Sequence, residues 1–172
     1  MSEDTRARVR RRLAAILFAG YSRLFPGDDE ENFAGITLLR SEIIEPQVLK
    51  SGGHILRWTG DGVLVEFESV VDAVRCAAAL REAVLRLNRA LLPERHIALC
   101  IGINLDDIIV EENDVFGDGV NIAARLQALA KPSSVYVSEI VRDRVAGRVD
   151  FGLEDLGPHN LKNIAKPVAS SA

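Results

Sequence analysis

Residues 54–67 read HILRWTGDGVLVEF, and this stretch decides the fold of the chain. The segments from His54 to Thr59 and from Val63 to Phe67 are rich in aliphatic and aromatic side chains, which is typical of strands. Gly60-Asp61-Gly62 between them is a tight-turn signal, so the stretch predicts a β-hairpin. The turn directs the Asp61 carboxylate away from the sheet, and its flanking glycines leave room for a ligand.

Asp61 has two interpretations at this point. Asp-Gly is among the commonest hairpin turns, so the pattern taken alone favours an ordinary structural turn. A hard cation such as Mg²⁺ binds one or two carboxylates together with phosphate oxygens, which makes Asp61 a candidate metal ligand.

The remainder of the chain alternates strands and helices around this hairpin. The other predicted strands are Leu13–Ala19, Ile97–Ile103, Ile108–Glu111, Val135–Val137 and Phe151–Leu156. The predicted helices begin at Asp28–Glu31, at Ser69, at Gly117–Gly119 and after Val137, and we expect Pro46 and Gly52-Gly53 to end the first. This order predicts an α+β domain with a ferredoxin-like βαββαβ core, a mostly antiparallel sheet and flanking helices. Asp106 is expected in a solvated turn, and the tail from Lys166 is not expected to form a last edge strand.

Composition limits the function classes. With 172 residues, we expect one domain over residues 1–172. The formal net charge of −4 does not indicate a nucleic-acid surface. No apolar run approaches the ~20 residues that a membrane span requires, and no signal peptide is evident, so a cytoplasmic protein is expected. Cys76 and Cys100 are expected to be buried free thiols, and no Cys/His cluster has the spacing of a zinc site.

A second informative segment, residues 114–126, reads DVFGDGVNIAARL. Asn121 and Arg125 are four residues apart, so a helix places them on one face. Asn offers an amide to a ribose, and Arg offers a fixed cation to a phosphate whose charge grows during a reaction. A surface helix with an ordinary solvated Asn and Arg is the alternative.

Taken together, these segments resemble the class III adenylate/guanylate cyclases, and the likeness covers nearly the whole chain. Six segments fall in the family's order and at close to its spacing: RLAAIL at 12–17, GYSRL at 20–24, TGDG at 59–62, VVDAVRCA at 70–77, GIN at 102–104 and LKNIA at 161–165. An unrelated ferredoxin-like binding module would have to match all six by chance.

The resemblance implies an enzyme that makes cyclic AMP and pyrophosphate from ATP, with GTP as the alternative substrate. It implies a head-to-tail homodimer with the nucleotide at the interface. It also implies a two-ion site for Mg²⁺ or Mn²⁺ held by two Asp residues, of which Asp61 matches the second. Asn121 matches the residue that orients the ribose, and Arg125 matches the arginine that stabilises phosphate charge in the transition state.

The substrate contacts implied by the resemblance lie elsewhere. Asp114 matches the position that reads the purine edge, where Asp accompanies adenine. Gly20, Tyr21 and Ser22 match the turn whose backbone lies near the phosphates. Lys162 is a weaker candidate for a phosphate contact, with a solvated lysine as the alternative.

Two departures from the family pattern affect the site. The family's first strand ends in Phe-Ala-Asp, then two residues, then Gly, whereas Phe18-Ala19 here continues directly into Gly20. The first metal-binding Asp is therefore absent, and either the protein lacks this ligand or the sequence is incomplete there. Arg57 stands where adenylate-specific members have Lys, and its guanidinium is bulkier and planar. A catalytically impaired domain that binds nucleotide or dimerises is the alternative function.

Overall fold

The computed structural model describes residues 10–23, 35–111, 114–150, 152, 155–159 and 168–171. Within these ranges the chain forms one sheet with the strands β1 Arg10–Arg23, β2 His54–Trp58, β3 Gly62–Phe67, β4 Ile97–Glu111, β5 Asp114–Phe116, β6 Val135–Ser138, β7 Asp155–His159 and β8 Val168–Ser171. The sheet order is β2-β3-β1-β4-β6-β8-β7, and β5 pairs with β4 beside this path. All pairs are antiparallel except β4 with β6.

Helices flank the sheet, and their bounds are α1 Glu45–Lys50, α2 Val70–Arg89, α3 Asp118–Leu129 and α4 Glu139–Val145. Residues 35–38 and a π-helical segment, Leu39–Ile44, lead into α1 without a break. No helix in the described ranges is long and apolar enough to cross a membrane. The mostly antiparallel sheet with flanking helices confirms the predicted α+β, ferredoxin-like fold.

Both faces of the sheet are buried over its centre, because successive side chains of a strand point to opposite faces. Ala15 and Leu17 of β1 belong to the larger core, which also contains the buried side of α2. Ala14 and Ile16 belong to a smaller core on the other face, together with Ala123 of α3. The strand β1 is therefore the central element against which both layers pack.

Helix α2 begins as the sequence predicts. The Ser69 side-chain oxygen accepts a hydrogen bond from the Asp72 backbone N–H at 3.2 Å, which satisfies one of the free donors at the helix start. The apolar stripe Val74, Leu80 and Val84 is buried in the larger core. Burial of one such side chain contributes about 1.5–3 kcal/mol, so this stripe fixes the helix on the sheet.

The expectation that Pro46 ends the first helix is wrong. Pro46 lies in the first turn of α1, where a missing N–H costs little. The preceding π-helical turn, in which the Glu45 N–H donates to the Arg40 carbonyl, carries the chain past the proline ring. The helix ends at Lys50, and Gly52 follows with φ of 82°.

One further expectation about the strands is wrong. Asp106 does not lie in a turn, because β4 continues through it and pairs Asp106 with Ala14 of β1. Ala14 lies within the predicted strand Leu13–Ala19, and the earlier start of β1 at Arg10 extends the same pairing to residues 108–110 of β4. The tail does contain a strand, β8, but this strand lies between β6 and β7, so the edge of the sheet is β7 and not the tail.

Candidate active site

The tip of the β2–β3 hairpin exposes the Asp61 carboxylate, as predicted. The Thr59 N–H donates to the Gly62 carbonyl at 2.8 Å and closes the turn. The Thr59 hydroxyl donates to the Asp61 carboxylate at 3.4 Å, a long contact that leaves most of the carboxylate open to solvent. A Cβ added at Gly60 would have no neighbour within 4 Å, so the approach to Asp61 is open on this side.

The expected turn at Gly20, Tyr21 and Ser22 is wrong, because all three residues lie within β1. On the β4 side, Gly20 pairs with Cys100, Tyr21 with Leu99 and Ser22 with Ala98. With no extra residues between Ala19 and Gly20 to form a loop, the chain continues along β4. The strand thereby pairs backbone groups that would otherwise need water or a ligand.

The end of β1 is joined directly to the hairpin tip. Gly20 pairs with Gly62, and the Tyr21 N–H donates to the Asp61 carbonyl at 2.9 Å. This N–H is therefore already engaged. A Cβ at Gly62 would lie 2.5 Å from the Ala19 carbonyl oxygen, so glycine is required for this close approach.

The side chain of Tyr21 is buried beside this junction, on the face of the larger core. Its hydroxyl has no hydrogen-bond partner among the described residues. Burial raises the pKa of the phenol above its ordinary value of 10.0, the positive charge of Arg40 opposes the rise, and the negative charge of Asp61 adds to it. Arg40 and Asp61 thus act electrostatically on the same phenol.

Arg40 and Trp58 form a contact that the sequence reasoning missed. The guanidinium carbon of Arg40 lies 4.3 Å from the centroid of the Trp58 ring, a cation–π arrangement. Arg40 belongs to the π-helical segment, and Trp58 is the last residue of β2, three positions before Asp61. The one available signal was that Trp58 is the chain's single tryptophan and adjoins the Asp-Gly turn.

Helix α3 contains both Asn121 and Arg125, as predicted. Asn121 is exposed and Arg125 is half-buried, and neither side chain has a hydrogen bond or ion pair with another residue in the described part of the chain. The helix is anchored through its other side, where Ala123 and Leu126 are fully buried. The Asn104 amide of β4 also donates to the Gly119 carbonyl at 3.2 Å in the first turn.

The packing of α3 on the sheet is close enough to require glycine. A Cβ at Gly102 of β4 would lie 2.2 Å from the Ala123 carbonyl oxygen. The amide end of the Gln127 side chain, two residues beyond Arg125, lies against Gly20, and this flexible side chain could move to admit a Cβ there. The last turns of α3 therefore reach over β1 at the residue that pairs with the hairpin.

The other predicted contacts lie apart or outside the described residues. Arg57 is exposed in β2, at an irregularity in its pairing with β3. Asp114 begins β5, where its backbone pairs with Glu111. Lys162 lies outside the described residues, as do Asp28 and Asp29.

A two-ion site does not fit the described residues of one chain. Such a site holds two cations about 3.5–4 Å apart and needs carboxylates that bridge or hold both. Within the described ranges, no group of three or more His, Cys, Asp or Glu side chains could hold a metal ion. Asp61 is the carboxylate at the hairpin tip, and the adjoining β1 residues Ala19, Gly20 and Tyr21 offer none.

Comparisons with known proteins identify related sequences. No protein-family model matches the chain. It is 49% identical over 163 residues to a Rhizobium meliloti protein named "Putative adenylate cyclase 3", which covers 93% of this chain. It is 30% identical over 151 residues to an adenylate cyclase of Streptomyces coelicolor, which covers 83% of this chain. The chain spans only 28% and 38% of the lengths of these two relatives.

Solved structures extend the comparison to the fold. An adenylate/guanylate cyclase/hydrolase from Silicibacter pomeroyi superposes with a TM-score of 0.90 at 36% identity, covering 95% of this chain and 96% of its own. The adenylyl cyclase CyaB from P. aeruginosa shares the fold, with a TM-score of 0.81 at 18% identity, over 95% of this chain and 94% of its own. The chain therefore belongs to the class III adenylate/guanylate cyclase catalytic-domain family.

Proposed function

We propose that this chain is a catalytic domain that converts ATP to 3′,5′-cyclic AMP and pyrophosphate. The ribose 3′ hydroxyl loses its proton to solvent, and its oxygen forms a bond to the α-phosphorus. The bond from that phosphorus to the oxygen that bridges it to the β-phosphate breaks, and pyrophosphate leaves with the electron pair of that bond. The observation that carries the proposal is that α3 presents Asn121 and Arg125 on one packed helix, in a chain of this family.

Each of these two side chains has a role that its chemistry supports. The Asn121 amide donates to or accepts from the ribose and orients the attacking hydroxyl. Arg125 carries a fixed charge with several N–H donors, which stabilises the negative charge that grows on the phosphates in the transition state. Because neither side chain has a partner among the described residues, both are available to a nucleotide.

Adenine is the proposed base. Asp114 matches the position at which Asp accompanies adenine in the family, and Arg57 stands in place of the adenine-contacting Lys. The planar guanidinium of Arg57 presents its donors in a different geometry from an ammonium, so GTP is the alternative substrate.

The active site is proposed to lie between two copies of the chain, arranged head to tail. In that arrangement Asn121 and Arg125 of one copy serve the nucleotide held near Asp61 of the other. Light scattering during gel filtration tests the dimer, and mixing Asp61→Ala with Arg125→Ala chains tests the shared site. Mixed dimers should recover activity that neither variant has alone.

Mg²⁺ or Mn²⁺ is the expected cofactor, because the family uses divalent metals, and Asp61 is the proposed ligand. The absence of a second carboxylate at the end of β1 favours a second candidate function, a domain that binds nucleotide or dimerises without turnover.

One assay separates the two candidates. Purified protein is given ATP or GTP with Mn²⁺, and cyclic nucleotide is resolved by chromatography. The proposal expects cyclic AMP that disappears in Asp61→Ala and persists in Asp143→Ala, an exposed carboxylate on α4. A folded dimer that forms no product from either nucleotide would establish the second function instead.

A further inference from the structure

Arg40 is a cation held in place next to the hairpin tip. Its guanidinium stacks on Trp58 at 4.3 Å from the ring centroid, and Trp58 is joined to Asp61 by the short turn. A guanidinium stacked on a ring keeps the N–H donors at its edge free, and these match the geometry of a phosphate group. No hydrogen bond or ion pair engages the Arg40 side chain within the part of the chain that the structure describes.

Arg40 also acts electrostatically on a residue that adjoins the hairpin tip. The charges of Arg40 and of the exposed Asp61 both act on the buried Tyr21, whose hydroxyl has no partner in the described ranges. The π-helical turn that carries Arg40 is a conformation often found at functional sites. The hairpin tip therefore combines one carboxylate with one oriented cation, instead of two carboxylates.

This combination changes the charge that a polyphosphate meets. Two carboxylates at one point repel phosphate unless metal ions lie between them. One carboxylate and one guanidinium are close to neutral together, and the guanidinium attracts phosphate directly.

We propose that Arg40, oriented by Trp58, binds a phosphate group of the nucleotide directly, so that polyphosphate binds at this hairpin tip without a divalent cation. The inference rests on the proposed function for the identity of the nucleotide. It extends that function by naming a phosphate-binding residue and by making binding, as distinct from turnover, independent of metal.

The test is binding in EDTA, with ATP and with tripolyphosphate, which has no base or ribose. Because Trp58 is the single tryptophan of the chain, its fluorescence reports the stack, and isothermal titration calorimetry measures affinity independently. The wild-type chain should bind both probes in EDTA. Arg40→Gln should weaken both by about tenfold, the size expected for loss of a charge-assisted hydrogen bond.

Four further variants separate the effect of orientation from the effect of charge. Arg40→Lys retains the charge without the planar fork and should weaken tripolyphosphate binding by about threefold. Trp58→Leu removes the ring that contacts Arg40, and calorimetry should show a similar loss of tripolyphosphate affinity. Trp58→Phe retains a ring, and its affinity should stay within about twofold of the wild-type value. Arg144→Gln removes an equivalent charge from an exposed position on α4 and should have no effect beyond about twofold.

The outcomes distinguish this inference from the proposed function. Equal affinity of wild-type and Arg40→Gln chains for tripolyphosphate in EDTA would overturn it, even if cyclic AMP forms with Mn²⁺. Absence of tripolyphosphate binding by the wild-type chain in EDTA would also overturn it. Arg40-dependent binding in a chain that makes no cyclic nucleotide would support it and leave the second, non-catalytic function. Circular dichroism of each variant shows that the fold is retained.

Discussion

Helix α3 and the hairpin tip are the two parts of this molecule that carry its predicted chemistry, and they are built differently. In α3, one short segment supplies both predicted site residues, Asn121 and Arg125, and the buried side that anchors them. At the hairpin tip, residues from β1, the π-helical segment and β2 meet from distant parts of the chain. The absence of three residues from β1, relative to the family pattern, can therefore alter the hairpin tip and leave α3 unchanged.

The largest effect should come from α3, where both predicted site residues are present. Arg125→Ala should lower kcat by about a hundredfold to a thousandfold and change nucleotide affinity by less than about threefold. The reason is that a cation meeting charge that develops during the reaction acts mainly in the transition state. Steady-state rates and equilibrium binding, with Arg144→Ala as the exposed control, measure the two effects separately. Equal losses in rate and affinity would show that Arg125 binds the ground state.

The second prediction concerns the hairpin tip, where the family's first metal-binding Asp is absent. Insertion of Asp-Ala-Ala between Ala19 and Gly20 restores the family's spacing and adds a carboxylate next to Asp61. We expect Mn²⁺-dependent cyclic AMP formation about a hundredfold above that of a matched Ala-Ala-Ala insertion, since metal stabilisation of transition-state charge contributes several kcal/mol. Equal rates for the two insertions would mean that the missing carboxylate does not limit this domain.

The contrast between the sites also explains what the sequence predicts well. The β2–β3 hairpin, the Ser69 start of α2 and the Asn121–Arg125 helix follow from residues close together in the chain, and the structure has all three. Local turn chemistry, caps and helical spacing determine such features. The roles of Asp61, Asn121 and Arg125 rest on the resemblance and remain predictions.

Features that depend on distant partners were not predictable in the same way. Local signals gave no reason for β1 to extend to Arg23 or for β4 to continue through Asp106, because each strand exists by pairing with the other. The contact of Arg40 with Trp58 likewise requires a π-helical turn next to a hairpin that follows it in the chain. Tertiary pairing overrides local propensity in each case.

A third prediction tests how tightly the hairpin is joined to β1. Gly62→Ala should destabilise the chain by about 2 kcal/mol, because its Cβ would lie 2.5 Å from the Ala19 backbone oxygen, which cannot move without breaking the pairing. Gly60→Ala, two residues away, has no neighbour within 4 Å and should change stability by less than about 0.5 kcal/mol. Urea denaturation of both variants measures the difference. Similar midpoints for the two would mean that the tip is not held against β1.

The smallest effect should come from Tyr21→Phe. The buried hydroxyl has no partner among the described residues, so its removal should stabilise the chain by about 1 kcal/mol at pH 7. Burial raises the pKa of this phenol in the folded chain above the unfolded value of 10.0, so the folded chain with Tyr21 loses stability as the pH rises from the unfolded pKa through the folded pKa. The advantage of Tyr21→Phe should therefore widen above pH 10, and urea denaturation at pH 7.5 and 10.5 measures it. If Tyr21→Phe were less stable than the wild-type chain at both pH values, the hydroxyl would have a hydrogen-bond partner. The junction of β1 with the hairpin would then be held by that bond, just as the start of α3 is held by the bond from Asn104.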